Sequence, residues 1–568
     1  MSFRDGAARY GRFCIGAAVL IQPRCFYDHM ARIPCALDSK RDDVRVARNS
    51  IDPVKLEVFH HLLSAYCEEA GVRLRLSAIS PNIRERADYS VAVFDREARL
   101  VAQAAHIPVH LGSAGEAVHA VRRELELAPG DVAILNDPYC GGTHLPDVTI
   151  VRPVFAKGAS QPEWFVVNRA HHADIGGATP GSMGIERDLF AEGLVIPPVH
   201  LRRRGVLQKD LMRLLARNVR GADERLIDLA AQEASLAQLE QRLHALVAEH
   251  GLSTVRRTTS ALMDYTERAG RALVRTLKSG MYRANDHLDG DGLGGGKLHI
   301  DLKLQIFQEH AEFDWTGTCD QARGGVNANP GIALAACVYS LRCLCPGRLP
   351  TNDGLFRLLK LVTRPGSLVD PRSPAPVAGG NVETSQRLVD ICLSALSSSA
   401  PDRVPAASAG TMSNLTFGGT MQGGREFASY ETLPGGAGAS ANSAGQSAIQ
   451  THMTNTRNTP IEEFEQRAPL RIRGLSVRRG SGGRGKHRGG DGLRKEIEVL
   501  EPLRGAFLGE RHEAGPPGSA GGHDGAPGRL SIAHGGKQKR LPAKTSFDLA
   551  KGDVLIVETP GGGGHGKI

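Results

Sequence analysis

Two stretches decide the fold of the first half of the chain: residues 131–155, DVAILNDPYCGGTHLPDVTIVRPVF, and residues 164–177, WFVVNRAHHADIGG. Runs of apolar and β-branched residues predict strands over 131–135, 148–151 and 164–167. Polar residues flanked by glycine fill the loop between the first two strands and directly follow the third. Loops that a sheet positions at its edge are a common place for a functional site.

Five side chains in these stretches have the chemistry of metal ligands. Imidazole and carboxylate together suit Mn²⁺, Fe²⁺ or Zn²⁺, and glycine lets backbone approach an ion closely. We expect Asp137, His144, Asp147 and His171 to bind the metal and His172 to act in catalysis, although either histidine of the doublet could ligate while the other orients the substrate. Alternatively, His144 caps a strand end and Asp147 makes a turn bond.

Other polar side chains are candidates for contact with the substrate. Arg84 and Arg86 could hold an anionic carboxylate or a phosphorylated intermediate through bidentate bonds, with Asn82 beside them. The alternative is a salt-bridged surface turn. Glu192 could be a general base or a further ligand, or else a solvated loop carboxylate.

His106 and His110 have the spacing of a helical metal pair, but Pro108 between them excludes a regular helix. We therefore expect both histidines to line the wall of the site and contact the substrate. Asp174 is either an acceptor for a ligating histidine or a turn residue.

The length and composition predict a multidomain globular protein. With 568 residues, 41% hydrophobic and 23% charged, the chain exceeds one ordinary core. We predict an α+β protein: a leader over 1–50, disordered or preceding the true start; an N-terminal domain over 51–285 with a sheet, a helical segment and the site; and a strand-rich, glycine-punctuated C-terminal domain over 286–568.

Charge, cysteine usage and hydropathy indicate the compartment. The net charge is +9, and nine Lys/Arg against five Asp/Glu in the first 50 residues leave only +5 over the other 518, so a nucleic-acid partner is not required. The ten cysteines include no CxxC pair and are expected to be reduced. No apolar run reaches the roughly 20 residues of a membrane span. We expect a cytoplasmic protein.

Periodicity predicts the main elements. A helix is expected to begin at Asp52-Pro53. Within 207–284, apolar stripes predict one helical run from 211 to 230, another over 236–247, and a third over 253–281 capped by Ser253. Further strands are predicted at 298–306, 311–315, 358–362, 470–477 and 554–557, and helices at 331–344 and 384–397. Residues 513–536 are predicted to form a loop.

The sequence lacks, or only partly matches, the motifs of several other enzyme classes. Gly480-x4-Gly485-Lys486 almost matches a P-loop, but His487 stands where Ser or Thr is required. No Gly-x-Ser-x-Gly elbow occurs. The same basic stretch over 478–495 is similar to an RNA-binding Gly/Arg segment. Without another catalytic motif, the residues favour a metal-activated water.

The order and length of the motifs resemble the B-type component of the hydantoinase/oxoprolinase family, which includes N-methylhydantoinase beta chains, the C-terminal part of 5-oxoprolinases and acetone carboxylase alpha chains. The matching stretches include SPNIRERADYS (80–90), GDVAILNDPYCGGTHLPDV (130–148), AHHADIGGATPGSM (170–183), GGNVETSQR (379–387), HMTNTRNTPIEEFE (452–465) and GDVLIVETPGGGGHG (552–566). The resemblance runs in order from about residue 51 to the end.

The resemblance implies an ATP-dependent enzyme that opens a cyclic amide of the hydantoin or 5-oxoproline type. ATP is used by a hydantoinase A-type ATPase subunit in a hetero-oligomer, in agreement with the absence of a usable P-loop. In acetone carboxylase relatives the corresponding chain holds Mn²⁺, and the matching positions are Asp137, His144, Asp147 and His171 or His172. Alternatives are a carboxylase subunit and a noncatalytic scaffold or RNA-binding subunit. Ala444-Gly445 and Ile449-Gln450 depart from the family pattern, so the substrate could differ.

Overall fold

The first half of the chain is built on a seven-stranded antiparallel sheet. In this computed structural model its strands are β1 Tyr89–Asp95, β2 Leu100–Gln103, β3 Val132–Leu135, β4 Asp147–Phe155, β5 Pro162–His171, β6 Val199–Arg203 and β7 Val206–Leu207. Their order in the sheet is β2-β1-β5-β4-β3-β6-β7, and each neighbouring pair is antiparallel. The predicted strands of the opening stretches are confirmed, and β4 and β5 are longer than predicted.

The register of β4 and β5 places two polar residues side by side at one end of the sheet. Asp147, the first residue of β4, pairs with His171, the last residue of β5. The rest of both strands is mostly apolar and almost wholly buried, because helices cover both faces of the sheet. This end of the sheet therefore presents the predicted site residues beside a packed core.

The long helices of this half are α1 Pro53–Ser77, α5 Lys209–Asn218, α6 Ala222–His250 and α7 Leu252–Arg275. α1 and α6 cover one face of the sheet, α5 packs against α6, and α7 packs against both α1 and α6. α1 begins as predicted, since Asp52 Oδ1 accepts a hydrogen bond of 3.0 Å from the Val54 amide. The shorter helices of this half are α2 Pro81–Arg84, α3 Ala114–Glu124 on the other face, and α4 Leu189–Glu192.

The boundaries of these helices differ from the prediction. The run predicted over 211–230 breaks before Gly221, and its second part continues into the run predicted over 236–247. Gly221 and Gly251 have φ values of 63° and 79°, which glycine adopts at little cost. The third helix starts after Gly251 without a Ser253 cap and ends at Arg275, because the residues from 280 onward form a strand.

The second half contains three further sheets. One is a four-stranded sheet in the order β11-β10-β9-β8, built from β8 Gly280–Leu288, β9 Leu298–Ile306, β10 Ala311–Asp314 and β11 Leu359–Val362. The helices of this half are α8 Pro330–Cys343, α9 Asp353–Phe356, α10 Ser385–Ser397 and α11 Ile461–Arg467, with a π-helical turn Gly380–Thr384 before α10. α8 and α10 share a core with this sheet.

The other two sheets form the strand-rich end of the chain. They use β12 Asn414–Thr420, β13 Glu426–Thr432, β14 Leu470–Arg478, β15 Gly492–Val499, β16 Leu503–Leu508, β17 Arg529–His534, β18 Lys537–Leu541, β19 Lys544–Leu549 and β20 Val554–Glu558. Their orders are β13-β12-β16-β19 and β14-β15-β20-β17-β18. The predicted α+β class is confirmed, but the prediction of a loop over 513–536 is wrong in part, because all of β17 lies within it.

Extended glycine-rich segments from 435–445, 481–492, 515–526 and 559–566 pack together, and we call this assembly the glycine bundle. The Gly490 amide donates to Ala437 O at 2.8 Å, and the Gly562 amide donates to Gly490 O at 2.9 Å. Gly489, Gly490 and Gly562 are buried, whereas the basic side chains between 484 and 488 are mostly exposed. The stretch that looked like an RNA-binding tail is therefore a structural part of this domain.

The structure describes residues 51–104, 106–110, 112–345 and 349–568. Apart from Leu349 they belong to one compact unit. The predicted leader, 1–50, lies outside the described residues, and the domain division at 285 stays a prediction. None of the helices within the described ranges has the length and apolar character needed to cross a membrane.

Candidate metal centre

Three of the predicted ligands meet in one buried group. His144, Asp147 and His171 each offer a ligand atom within 4.8 Å of the others, and within the described residues this is the group suited to holding a metal. His144 Nε2 lies 3.1 Å and His171 Nδ1 lies 3.3 Å from Asp147 Oδ1. All three residues are at most 2% exposed, so the group is shielded from solvent.

Unpartnered atoms in this group fit a bound cation. His144 Nε2, Asp147 Oδ1 and His171 Nε2 are buried and have no hydrogen-bond partner in the described part of the chain. A buried polar atom left without a partner costs about 1–3 kcal/mol. Two imidazoles and one carboxylate form a donor set suited to Mn²⁺, Fe²⁺ or Zn²⁺. A cation would give a common partner to His144 Nε2 and Asp147 Oδ1, which face each other at 3.1 Å without a hydrogen bond.

The charge states of the group also suit a cation. Burial opposes ionisation of Asp147, but His144 and His110 outweigh it and hold the pKa of the carboxyl well below its usual range. Burial lowers the pKa of the His171 imidazole. An ionised carboxylate beside a neutral imidazole is the state in which these side chains bind metals.

Contacts from the second half of the chain hold the two histidines. The backbone oxygen of Ala378 lies 3.2 Å from His144 Nδ1. The Tyr430 ring stacks on the His171 ring with centroids 4.4 Å apart and planes inclined by 16°. The Arg86 guanidinium lies 4.6 Å from the centroid of the Tyr430 ring. Both imidazoles are thus oriented by residues far away in the sequence.

Asp137 is not part of the three-residue group. Its Oδ1 accepts a hydrogen bond of 2.9 Å from the Tyr139 amide and closes a turn, and burial raises the pKa of the Asp137 carboxyl. The neighbouring Asn136 fixes the ligand loop, because its side-chain amide donates to Leu145 O at 2.8 Å and its oxygen accepts from the Ile196 amide at 2.6 Å.

His172 points to a helix rather than to the three-residue group. Its Nε2 lies 2.9 Å from Gln232 Oε1 on α6, and burial lowers the pKa of the His172 imidazole to about 4. Asp174 accepts hydrogen bonds from the amides of Gly176, Gly181 and Arg220 at 2.8–3.0 Å. Asp174 therefore stabilises the loop after β5.

Glu192 is buried beneath the backbone that contacts His144. Its two carboxyl oxygens accept hydrogen bonds of 3.0 and 2.9 Å from the amides of Val377 and Ala378. Burial raises the pKa of the Glu192 carboxyl to about 8. Because Ala378 O contacts His144 Nδ1, Glu192 reaches the centre through the backbone of one residue.

The two predicted arginines have different environments. The Arg84 side chain is 58% exposed and pairs with Glu85 at 3.3 Å. Arg86 is buried and donates to Tyr430 O at 2.9 Å and to Thr432 Oγ1 at 3.1 Å. Asn82 lies beside it, with Oδ1 3.4 Å from Arg86 Nη1. Arg86 thus connects the two halves of the chain next to the centre.

His106 and His110 also have different surroundings. His106 packs edge-on against Tyr89 with ring centroids 4.8 Å apart, and burial lowers the pKa of its imidazole to about 3. His110 lies in a short 3-10 turn, and its Nε2 is 3.2 Å from Asp147 Oδ2. Of the two, His110 therefore contacts a residue of the metal centre.

Sequence reasoning missed several residues that surround the centre. Tyr430 stands in a strand without a motif, and only its packing reveals a role. Asn381 donates to Asp147 Oδ2 at 3.2 Å and Thr143 donates to the same oxygen at 2.8 Å. Asn381 lies in the family stretch GGNVETSQR and Thr143 in the loop that carries His144. These positions were the sequence features that could have indicated a role at the site.

The family model described as Hydantoinase B/oxoprolinase matches residues 52–568. The chain belongs to this family. An uncharacterized protein of Methanocaldococcus jannaschii is 38% identical over 524 residues, which cover 91% of each chain. The B component of a putative D-/L-hydantoinase of Pseudomonas sp. is 30% identical, with 91% of this chain and 90% of that protein covered.

Larger relatives and solved structures extend the comparison. 5-oxoprolinase 1 of Arabidopsis thaliana is 35% identical over 97% of this chain, which spans 45% of the plant protein. The crystal structure of ATP-dependent caprolactamase from Pseudomonas jessenii matches with a TM-score of 0.85 and 29% identity, covering 91% of this chain and 92% of that one. Acetone carboxylase shares the fold, with a TM-score of 0.84, 19% identity and coverage of 91% and 76%.

Proposed function

We propose that this chain is the ring-opening component of an ATP-dependent enzyme that hydrolyses a cyclic amide of the hydantoin or 5-oxoproline type. The single observation that carries the proposal is the buried group of His144, Asp147 and His171, with three unpartnered polar atoms, in a chain of this family. The names of its relatives, 5-oxoprolinase, D-/L-hydantoinase and ATP-dependent caprolactamase, denote enzymes of cyclic amides. A hydantoinase A-type ATPase subunit would use the ATP in a hetero-oligomer.

The reaction needs an activated amide. A phosphoryl group transferred from ATP to the amide oxygen makes the ring carbon a better electrophile. Water then adds to that carbon, the ring C–N bond breaks and the nitrogen takes up a proton, which leaves an acyl phosphate. A second water hydrolyses the acyl phosphate to a carboxylate and phosphate. The sum is cyclic amide, ATP and two waters giving the ring-opened product, ADP and phosphate. The described residues include no usable P-loop, in agreement with a separate ATPase subunit.

The chain's own residues would hold the ion and shield the reaction. His144, Asp147 and His171 would ligate Mn²⁺, Fe²⁺ or Zn²⁺, and such an ion, when bound, supplies Lewis acidity. Tyr430 and the Ala378 carbonyl orient the two imidazoles. Their burial excludes bulk water, which strengthens electrostatic interactions with a charged intermediate.

The metal part of the proposal has a matched pair of variants, His171→Asn and His172→Asn. Both histidines are buried and adjacent, but only His171 belongs to the three-residue group. We expect about one equivalent of Mn, Fe or Zn per chain in the wild type and in His172→Asn, and loss of the metal in His171→Asn. Elemental analysis of the purified, folded proteins measures this. Equal metal content in all three would contradict the assignment.

The reaction is tested with the chain and a hydantoinase A-type subunit together. Hydantoin or 5-oxoproline with ATP should give the ring-opened product and phosphate in equal amounts, and neither subunit alone should reach the full rate. A strict requirement for bicarbonate would instead indicate a carboxylase of the acetone carboxylase type, whose fold this chain shares.

A further inference from the structure

The two oxygens of the Asp147 carboxylate have unequal surroundings. Oδ2 accepts hydrogen bonds from Thr143 Oγ1 at 2.8 Å and from Asn381 Nδ2 at 3.2 Å, and His110 Nε2 lies 3.2 Å from it. Oδ1 lies near His144 and His171 and has no hydrogen-bond partner within the described ranges. Oδ2 is thus hydrogen-bonded within the protein, whereas Oδ1 faces the two imidazoles of the metal centre without a hydrogen bond.

The surroundings of His110 place its Nε2 opposite Asp147 Oδ2. Its Nδ1 lies 2.9 Å from Ser90 Oγ, and this hydroxyl also accepts from the Ile107 amide at 3.3 Å. A serine hydroxyl can donate its proton to Nδ1, which leaves the ring proton on Nε2, where it faces Asp147 Oδ2. The side chain of His110 is 3% exposed, so the ring is held in the interior.

We propose that His110 is a positioning residue that keeps Asp147 Oδ1 directed at the metal, rather than a substrate contact or a ligand. A histidine with Nε2 protonated and Nδ1 occupied by Ser90 has no free lone pair for an ion. The inference rests on the proposed metal site, but it concerns the partner of a ligand. Partners of this kind orient the ligand, and their loss typically lowers metal affinity by about 10–100-fold.

The variants His110→Leu and His110→Gln separate positioning from ligation. Leucine fills the space but cannot donate, whereas the glutamine amide can place an N–H near the position of Nε2. His106→Gln is the matched control, because His106 is a partly buried histidine four residues away that packs on Tyr89. Metal-free proteins would be titrated with Zn²⁺ against a chromophoric chelator, and thermal unfolding would verify that each is folded.

We expect His110→Leu to bind Zn²⁺ about 10–100-fold more weakly than the wild type, His110→Gln to recover most of that loss, and His106→Gln to match the wild type. The visible spectrum of the Co²⁺-loaded protein reports the ligand set and should be the same in saturated His110→Leu and wild type. If His110→Leu does not fold, Ser90→Ala replaces it, and a smaller loss of affinity is expected because the ring loses its fixed tautomer.

Unchanged affinity in His110→Leu, or in the Ser90→Ala replacement, would overturn the positioning role. A changed Co²⁺ spectrum would identify His110 as a ligand and overturn the positioning role as well. A His110→Gln variant as weak as His110→Leu would also overturn it, because an N–H donor at this position would then not restore affinity. If the wild type binds no Zn²⁺ or Co²⁺, the proposed metal site itself fails. That outcome is distinguishable, because then all the proteins, including the His106→Gln control, behave alike.

Discussion

Alanine at Gly562 should destabilise the protein through the glycine bundle. A Cβ atom added there would lie 2.0 Å from Ala437 O and 2.3 Å from the carbon of the same carbonyl. An ordinary contact between carbon and a carbonyl oxygen is about 3.3 Å or more, so the segments would have to separate by about 1 Å. Both clashing atoms are backbone, and no side-chain rotation relieves the contact.

The expected cost follows from this geometry. Inserting a methylene into a packed interior costs about 1–3 kcal/mol, and a clash with backbone belongs at the upper end, about 3 kcal/mol. The entropy of unfolding is about 2 cal/mol/K per residue, or about 1 kcal/mol/K for a chain of about 500 residues. The midpoint of thermal unfolding should therefore fall by about 3 °C if the chain unfolds as one unit.

Scanning calorimetry of Gly562→Ala beside Gly115→Ala measures this effect. Gly115 lies in α3, and its added Cβ would meet Phe94 at an ordinary 3.7 Å, so alanine there should raise stability by about 0.5 kcal/mol. A Gly562→Ala variant as stable as the wild type would show that the segments are not packed as described. Parallel loss in Gly115→Ala would instead show a general intolerance of added methyl groups.

Two further predictions concern the surroundings of the metal centre. Tyr430→Phe removes the hydroxyl that donates to Asn414 Oδ1 at 2.8 Å but keeps the ring on His171. The free energy of unfolding, measured in urea, should fall by about 1–3 kcal/mol, while metal content stays unchanged. Loss of metal in this variant would contradict the stacking role. Burial raises the pKa of Glu192 from its ordinary value near 4.5 to about 8, so between these pH values the folded chain keeps a proton that the unfolded chain has lost, and stability falls as pH rises. Glu192→Gln should fall less steeply from pH 5 to pH 8 in urea unfolding, and an unchanged slope would sink this explanation.

The strands around the metal centre could be predicted from the sequence, because local apolar patterns specify them. The apolar runs before His171 and after Asp147 predict strands, and the structure joins these strands in the register that pairs the two residues. The boundary between α5 and α6 could not be predicted, because an apolar stripe continues across Gly221 while the backbone turns there. Gly221, between two periodic segments, was a better indicator of a helix boundary than the continued apolar periodicity.

The surroundings of the ligands could not be predicted, because they depend on contacts over hundreds of residues. Nothing near Tyr430 in the sequence indicates that its ring lies on His171, and spacing alone does not separate His110 from His106. The glycine bundle failed to be recognised for a different reason. Glycine-rich sequence is common in loops, whereas here Gly562 is required because another backbone passes where a side chain would be.

The distribution of contacts links the metal centre to the folding of the whole unit. His144, Asp147 and His171 come from one pair of strands and the loop before it, yet Ala378, Asn381 and Tyr430 hold them in place.

The first half of the chain supplies the three proposed ligands, and the second half fixes their directions and shields them from solvent. A metal that binds only the assembled centre stabilises the folded state by its binding free energy. Metal occupancy should therefore depend on the packing of the second half as much as on the ligands. Arg86 contributes to this packing, because it lies just before the seven-stranded sheet and contacts both the backbone and the ring of Tyr430.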